Sequence, residues 1–303
     1  MTNRHLFAAI GFSLIGSQAF AADLTPAPQQ EVQAGVPHSA ISFGVGGNLN
    51  YSVYGKQYVY ALGTGSYLDQ RGNTLASGFA QGPLTVGMGS QVRLAPTAQL
   101  KYFRYLGDSN WVGGANFSYS YTDSSVTTHH GFIPQWGQSV LFNGTVLPAA
   151  GNAYMHSYQA RLNHQLQWTP FLGYGFSKGF VYVGAGPSFS QVQTKIYNLI
   201  GFAQVGGEPT NQSGAPQNFS GSNWVWGAAI TAGGTYFLTR NWYLDFNYTY
   251  SQPRTPTNFY ASTFRNPTNE RIYLAGTLQG NSAGTQTSHS FVATLNWAYD
   301  LGN

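Results

Sequence analysis

The chain has 303 residues and a formal net charge of +4, yet only 7% of its residues are charged. Soluble domains carry about 25%; the few Lys and Arg here are scattered, which excludes the clustered basic face that nucleic acid requires. Aromatic residues reach 16%, and there is no cysteine, so disulfides contribute nothing to stability.

Residues 1–21 read as a secretory signal. Arg4 precedes an apolar run, Leu6–Ile15, and Ala19-Phe20-Ala21 offers the small-x-small pattern that places cleavage between Ala21 and Ala22. Such a run is too short to span a membrane. Residues 22–37 are rich in Pro, Gln and Ala without periodicity and read as a flexible periplasmic leader. Residues 38–303 form the third region, and no later stretch approaches the ~18 apolar residues of a membrane helix. A chain this poor in charge that crosses lipid without helices must do so as a closed barrel.

Period-two alternation supports that reading segment by segment. Ile41, Phe43, Val45, Leu49, Tyr51 and Val53 share one face of the first segment. Leu84, Val86, Met88, Val92, Leu94, Leu100 and Tyr102 keep one parity in the second, and a turn at Gly107–Asn110 leads into a third ending at Thr122. Tyr158, Leu162, Leu166, Trp168, Leu172, Tyr174 and Phe176 fall together, opposite Gln159, Arg161, Asn163 and Gln165. After Ser177-Lys178-Gly179 comes Phe180–Gln193. Trp224, Trp226, Ile230, Tyr236 and Leu238 precede the turn Thr239-Arg240-Asn241. Trp242, Leu244, Phe246 and Tyr248 then alternate with Tyr243, Asp245, Asn247 and Thr249. Phe291, Leu295, Trp297 and Tyr299 end the series.

The segments predict an eight-stranded antiparallel up-and-down transmembrane β-barrel, all-β, with short periplasmic turns and long extracellular loops. The long connections fall near 55–82, 123–154, 198–222 and 255–284 and are rich in Gly, Asn, Ser and Thr. A count of ten is open if the first of them contains a further hairpin. A soluble sandwich is the competing architecture, but it does not explain aromatic outer faces with loops alternating long and short.

The hairpin Gly234–Asp245, read with the signal and the strand arithmetic, resembles the outer-membrane barrel superfamily of OmpA-like and opacity-type surface proteins. The resemblance implies the outer membrane of a Gram-negative cell. Implied partners are outer membrane lipid and lipopolysaccharide, host or matrix ligands at the loops, and the barrel assembly machinery. It implies a structural or adhesin-like role, with a narrow porin as the alternative. Some barrels of this size modify lipid A through Ser and His, of which His156-Ser157 is a weak echo, so no enzyme is expected. Members commonly end on an aromatic residue, whereas this chain runs Tyr299-Asp300-Leu301-Gly302-Asn303.

The parity assigns Arg93, Lys101, Arg161, Asp245 and Asp300 to a polar lumen network, and Trp168, Trp224, Trp226, Trp242, Phe246 and Trp297 to lipid. His129, His130 and His156 lack an acidic or cysteine companion, so no metal or other cofactor is expected. Aromatic residues such as Phe132, Trp136 and Phe259 in the long connections suit contact with partners or with the barrel mouth.

Overall fold

Tyr, Phe, Trp, Val and Thr at alternate positions favour a pleated surface with two distinct faces. A computed structural model describes residues 35–204 and 210–302. The signal, its cleavage site and most of the leader lie outside the described residues. The strands are β1 Ser39–Asp69, β2 Thr74–Gly87, β3 Ser90–Tyr105, β4 Trp111–Leu141, β5 Val146–Phe176, β6 Gly179–Gln204, β7 Thr210–Asn211, β8 Gln217–Phe237, β9 Trp242–Pro253, β10 Thr257–Pro267 and β11 Ile272–Asp300.

They form one antiparallel ring of eight walls. β2 and β3 lie in line along β1 and make one wall, as β9 and β10 do along β11. The ring closes where β1 pairs β11 from Ala40↔Asp300 to Asp69↔Ile272. The first long connection does contain a hairpin, but it extends β1 and β2 upward and adds no wall.

The expected long loops are strands for most of their length. β4 and β5 stay paired up to Val140↔Val146. Polar, small-residue composition marks exposure to water, and a water-exposed strand with a partner on each side satisfies its backbone as well as a loop does. The 31 residues of β1 span about 100 Å of strand and about 78 Å of height at a tilt of about 40°. Lipid takes about 25 Å of that, so most of the wall stands outside the membrane.

The lipid-facing zone is marked by two aromatic belts. Tyr102, Trp111, Tyr174, Trp242 and Trp297 are exposed near the short turns, and Tyr51, Tyr119, Tyr121, Trp224, Trp226 and Tyr248 some six to fourteen positions above them. Trp168, at 51% exposed, and Phe246, at 55%, lie on the same outer face.

Above the upper belt the faces exchange. Ladder irregularities fall between Tyr54 and Gln57 in β1, Tyr121 and Ser124 in β4, and Leu162 and Gln165 in β5. One extra residue shifts parity by one, so every later side chain changes face. Tyr158 and Leu162, read from sequence as outward, are fully buried. Leu84, Val86 and Met88 pack against the inner apolar cluster, while Val92 and Leu94 beyond the β2–β3 break face out. The single parity read for that segment and for Tyr158–Phe176 is therefore two parities in each. Asp123 adopts a positive φ of 43° at the β4 bulge, the conformation such a bulge uses to admit its extra residue.

Phe246→Arg puts a charge against lipid at a cost of up to about 2–4 kcal/mol, whereas Asn247→Arg points inward beside Asp245. In heat-modified gel mobility, Phe246→Arg should fold far less completely than Asn247→Arg. At the β1–β2 tip, Asp69 accepts hydrogen bonds from the Asn73 side chain and amide and the Arg71 amide, each 2.8 Å. The Asn73 side chain above all holds its carboxyl below the ordinary 3.8. Its contribution is present above that value and is lost as pH falls through the lowered one, so amide protection at Asn73 should drop only under about pH 4.

Candidate functional site: the lumen and its seam

The lumen is built in layers by inward residues of all walls. At the periplasmic end Phe103, Phe171, Phe180, Tyr182, Phe237 and Tyr243 fill the bore. Phe103 and Phe180 have ring centroids 5.1 Å apart, and Phe171 and Tyr182 4.9 Å. A small barrel has just the width for side chains to close it in this way.

Directly above lies an ion pair between Lys101 of β3 and Asp245 of β9, both fully buried. Asp245 also accepts from Tyr182 Oη at 2.9 Å, Thr235 Oγ1 at 2.9 Å and Asn247 Nδ2 at 3.0 Å. The Lys101 ammonium sits 4.2 Å from the Tyr182 ring centroid. A buried pair is tolerated when its other polar capacity is met; here the Asp245 oxygens take three further donors, and the ammonium faces the Phe171 and Tyr182 rings.

A polar middle follows. Gln99 Nε2 donates to Thr294 Oγ1 at 2.8 Å and Asn296 Oδ1 at 2.7 Å; Asn50 Nδ2 donates to Ser290 Oγ at 3.0 Å; Gln165 Nε2 donates to Ser251 Oγ at 2.6 Å. Then a second apolar layer closes the bore, with Tyr54, Ile133, Met155, Tyr158, Leu199 and Leu278. Tyr54 Oη donates to the Ser124 carbonyl at 2.5 Å and accepts from the Leu162 amide at 3.2 Å, which ties this layer to the bulges.

At the extracellular mouth an apolar cavity of about 90 Å³ is lined by Phe79, Phe202, Phe264 and Leu274. Gln212 and Ser213 border it from above. Tyr67 Oη donates to Gln212 Oε1 at 2.5 Å, and the Gly201 amide to Ser213 Oγ at 2.8 Å.

Among the described residues two stretches of wall are unzipped: one where β10 pairs β11 but has no ladder with the upper part of β8, and one between β2–β3 and β4. β2 pairs β4 only from Ala76↔Leu141 to Gln81↔Trp136, and β3 pairs β4 only from Thr97↔Ser120 to Tyr105↔Val112. Residues 82–96 and 121–135 face each other with no ladder between them. Pro83, Pro96 and Pro134 lie along this seam. Proline has no N–H to donate, so it sits on unpaired edges. Across the seam Gln91 Oε1 accepts from the Ser125 amide at 2.5 Å. A side chain at Gly87 or Gly89 would meet open space.

The expected lumen set separates accordingly. Lys101 and Asp245 meet. Arg161 does not join them: the β5 bulge turns it outward, where it pairs with Asp123 at 30% exposure. Asp300 is at the periplasmic rim, bound by Arg240 Nη2 at 2.6 Å, because the last strand ends there. Arg93 starts on the lumen side, paired with the buried Asn50, yet is exposed, because the seam opens beside it. Trp168, Trp224, Trp226, Trp242, Phe246 and Trp297 are all exposed on the outer face. The sequence reading does not contain the seam; its one signal inside a strand-like segment is Pro96, since Pro134 falls in a connection and Pro83 at the edge of one.

The histidines also sort by face. The positive φ of 59° at His130 interrupts the alternation of β4, and His156 lies across the ladder. The three ring centroids are 5.7–6.2 Å apart on the outer wall. Among the described residues no group of three His, Cys, Asp or Glu is arranged to hold a metal. His156 is exposed and Ser157 buried, so the two face opposite sides of the wall.

No family model matches the sequence, and no curated protein matches it. Among solved structures it is similar to the outer membrane protein OprG from Pseudomonas aeruginosa, with 10% identity over 89% of this chain and 99% of that one, at a TM-score of 0.33. The attachment invasion locus protein Ail of Yersinia pestis is 13% identical over 83% of this chain and 99% of its own, at 0.26. The outer membrane protease OmpT from Escherichia coli is 9% identical over 86% and 97%, at 0.29. With scores this low the class rests on the chain itself. A closed antiparallel ring with an apolar outer band between aromatic belts is an outer-membrane β-barrel.

Lys101→Met should destabilise the barrel by about 3–5 kcal/mol, since it strands a buried carboxylate. The double variant Lys101→Met/Asp245→Leu should recover most of that loss in denaturant unfolding of the micelle-bound protein.

Proposed function

We propose that this protein is a non-conducting surface barrel of the outer membrane that presents its tall extracellular wall and hairpin tips to partners. The observation that carries this reading is a bore closed by two separate apolar layers beneath a wall that rises far above lipid. An apolar plug excludes hydrated solutes. The outer wall and tips also expose large aromatics, with Phe142 at 82%, Phe259 at 77% and Trp136 at 61%. Exposed aromatics on a polar surface suit adhesive contact with protein or glycan. The proposed role is structural and adhesive.

Two measurements test the proposal. In planar bilayers the purified protein should give no discrete conductance steps, and reproducible steps from the folded barrel would establish a channel instead. Replacing residues 135–151 by a short turn should abolish binding to host cells or matrix while heat-modified mobility is kept. Unchanged binding would remove the upper hairpin from the role.

A further inference from the structure

The seam between β3 and β4 starts within reach of lipid. Arg93 lies nine positions above Tyr102 of the periplasmic belt, about 23 Å higher along the barrel axis and so at the outer edge of the apolar band. Unpaired backbone N–H and C=O groups at that depth are costly unless a polar group reaches them. Gln91 meets one of them, the Ser125 amide, and Pro96 removes one donor. The rest of the β3 edge is open.

Its side chains define what fits. Val92 is 57% exposed and Leu94 78%, although Tyr51 and Leu49, their partners in β1, are 40% and 47%. Arg93, between Val92 and Leu94 in sequence, starts from the opposite, lumen face and is exposed only where the seam opens at the β3 edge, with no carboxylate partner among the described residues. An outer apolar strip beside an open strand edge, with one cation inside that edge and backbone N–H donors along it, is complementary to an anion that carries hydrocarbon. Arginine holds phosphate by a fork of charge-assisted hydrogen bonds.

We infer that the β3–β4 seam is a binding site for the phosphorylated glycolipid of the outer leaflet, with its phosphate on Arg93 and an acyl chain along Val92 and Leu94. The depth selects the outer leaflet, because the short turns put the other end of β3 at the periplasmic face. The lipid then supplies the seam with the polar partners that β4 does not.

Native mass spectrometry of the whole purified barrel in detergent tests this, with diphosphorylated lipid A, the same lipid stripped of phosphate, and phosphatidylglycerol as probes. Wild type should retain one diphosphorylated lipid A, favoured about five- to tenfold over the stripped form, which corresponds to one charge-assisted contact. Arg93→Gln should lose that preference. Arg240→Gln, at the periplasmic rim and 70% exposed, should keep it, and both variants should show normal heat-modified mobility. Equal retention of the two glycolipids, an unchanged preference in Arg93→Gln, or an equal loss in Arg240→Gln would overturn the site. Phosphatidylglycerol retained as strongly as lipid A would overturn its assignment to the glycolipid.

Discussion

Inside lipid an unpaired backbone group finds no water, so the pairing of strand edges governs everything else in this molecule. The β1–β11 ladder removes the two edges that an open sheet of this length would expose. Once the ring is closed, its bore has room only for side chains, and the inward residues must satisfy one another. Asp245 shows the consequence, with donors converging from β3, β6, β8 and β9. The lapse of pairing between β3 and β4 is bordered by proline and spanned by Gln91. That lapse concentrates the exposed cation and the most exposed apolar residues of β3 at a single point.

Closing the ring also joins the ends of the chain. Ala40 meets Asp300, while β4 meets β5 across the four residues 142–145. Local hairpins lose little entropy on forming, and distant pairings lose more. The hairpins therefore form first and the β1–β11 ladder last, with both edges open to misassociation until it does.

How much of this was legible in the sequence depends on where alternation holds. Within the lipid zone it holds without interruption, so Trp242, Phe246 and Trp297 fall on one face and Asp245 on the other, and the eight walls follow. It breaks at the bulges, which insert single residues that no local pattern announces. Leu162, Asn163, His164 and Gln165 read as continuous alternation, and only the ladder with β6 reveals the slip. Arg161 was misplaced for that reason, and the Lys101–Asp245 pair was assigned to the lumen without its partners because pairing depends on distances between walls. The extracellular strands were hidden by composition: Gly, Ser and Thr are typical of loops, and a neighbouring strand on each side overrides that preference.

The bulges divide the molecule into two barrels of opposite polarity. Below them aromatic and aliphatic side chains face outward and Asn, Ser and Gln face inward. Above them Tyr158, Ile133 and Leu199 are inside, while Lys56, Thr127 and Arg265 are exposed. The upper half is thus organised as a water-soluble protein is, with its core held by the hydrophobic effect. That force weakens on cooling, whereas the lower half, already surrounded by hydrocarbon, owes it little between its own walls. One continuous sheet therefore carries two temperature dependences, with the projecting half the first to loosen in the cold.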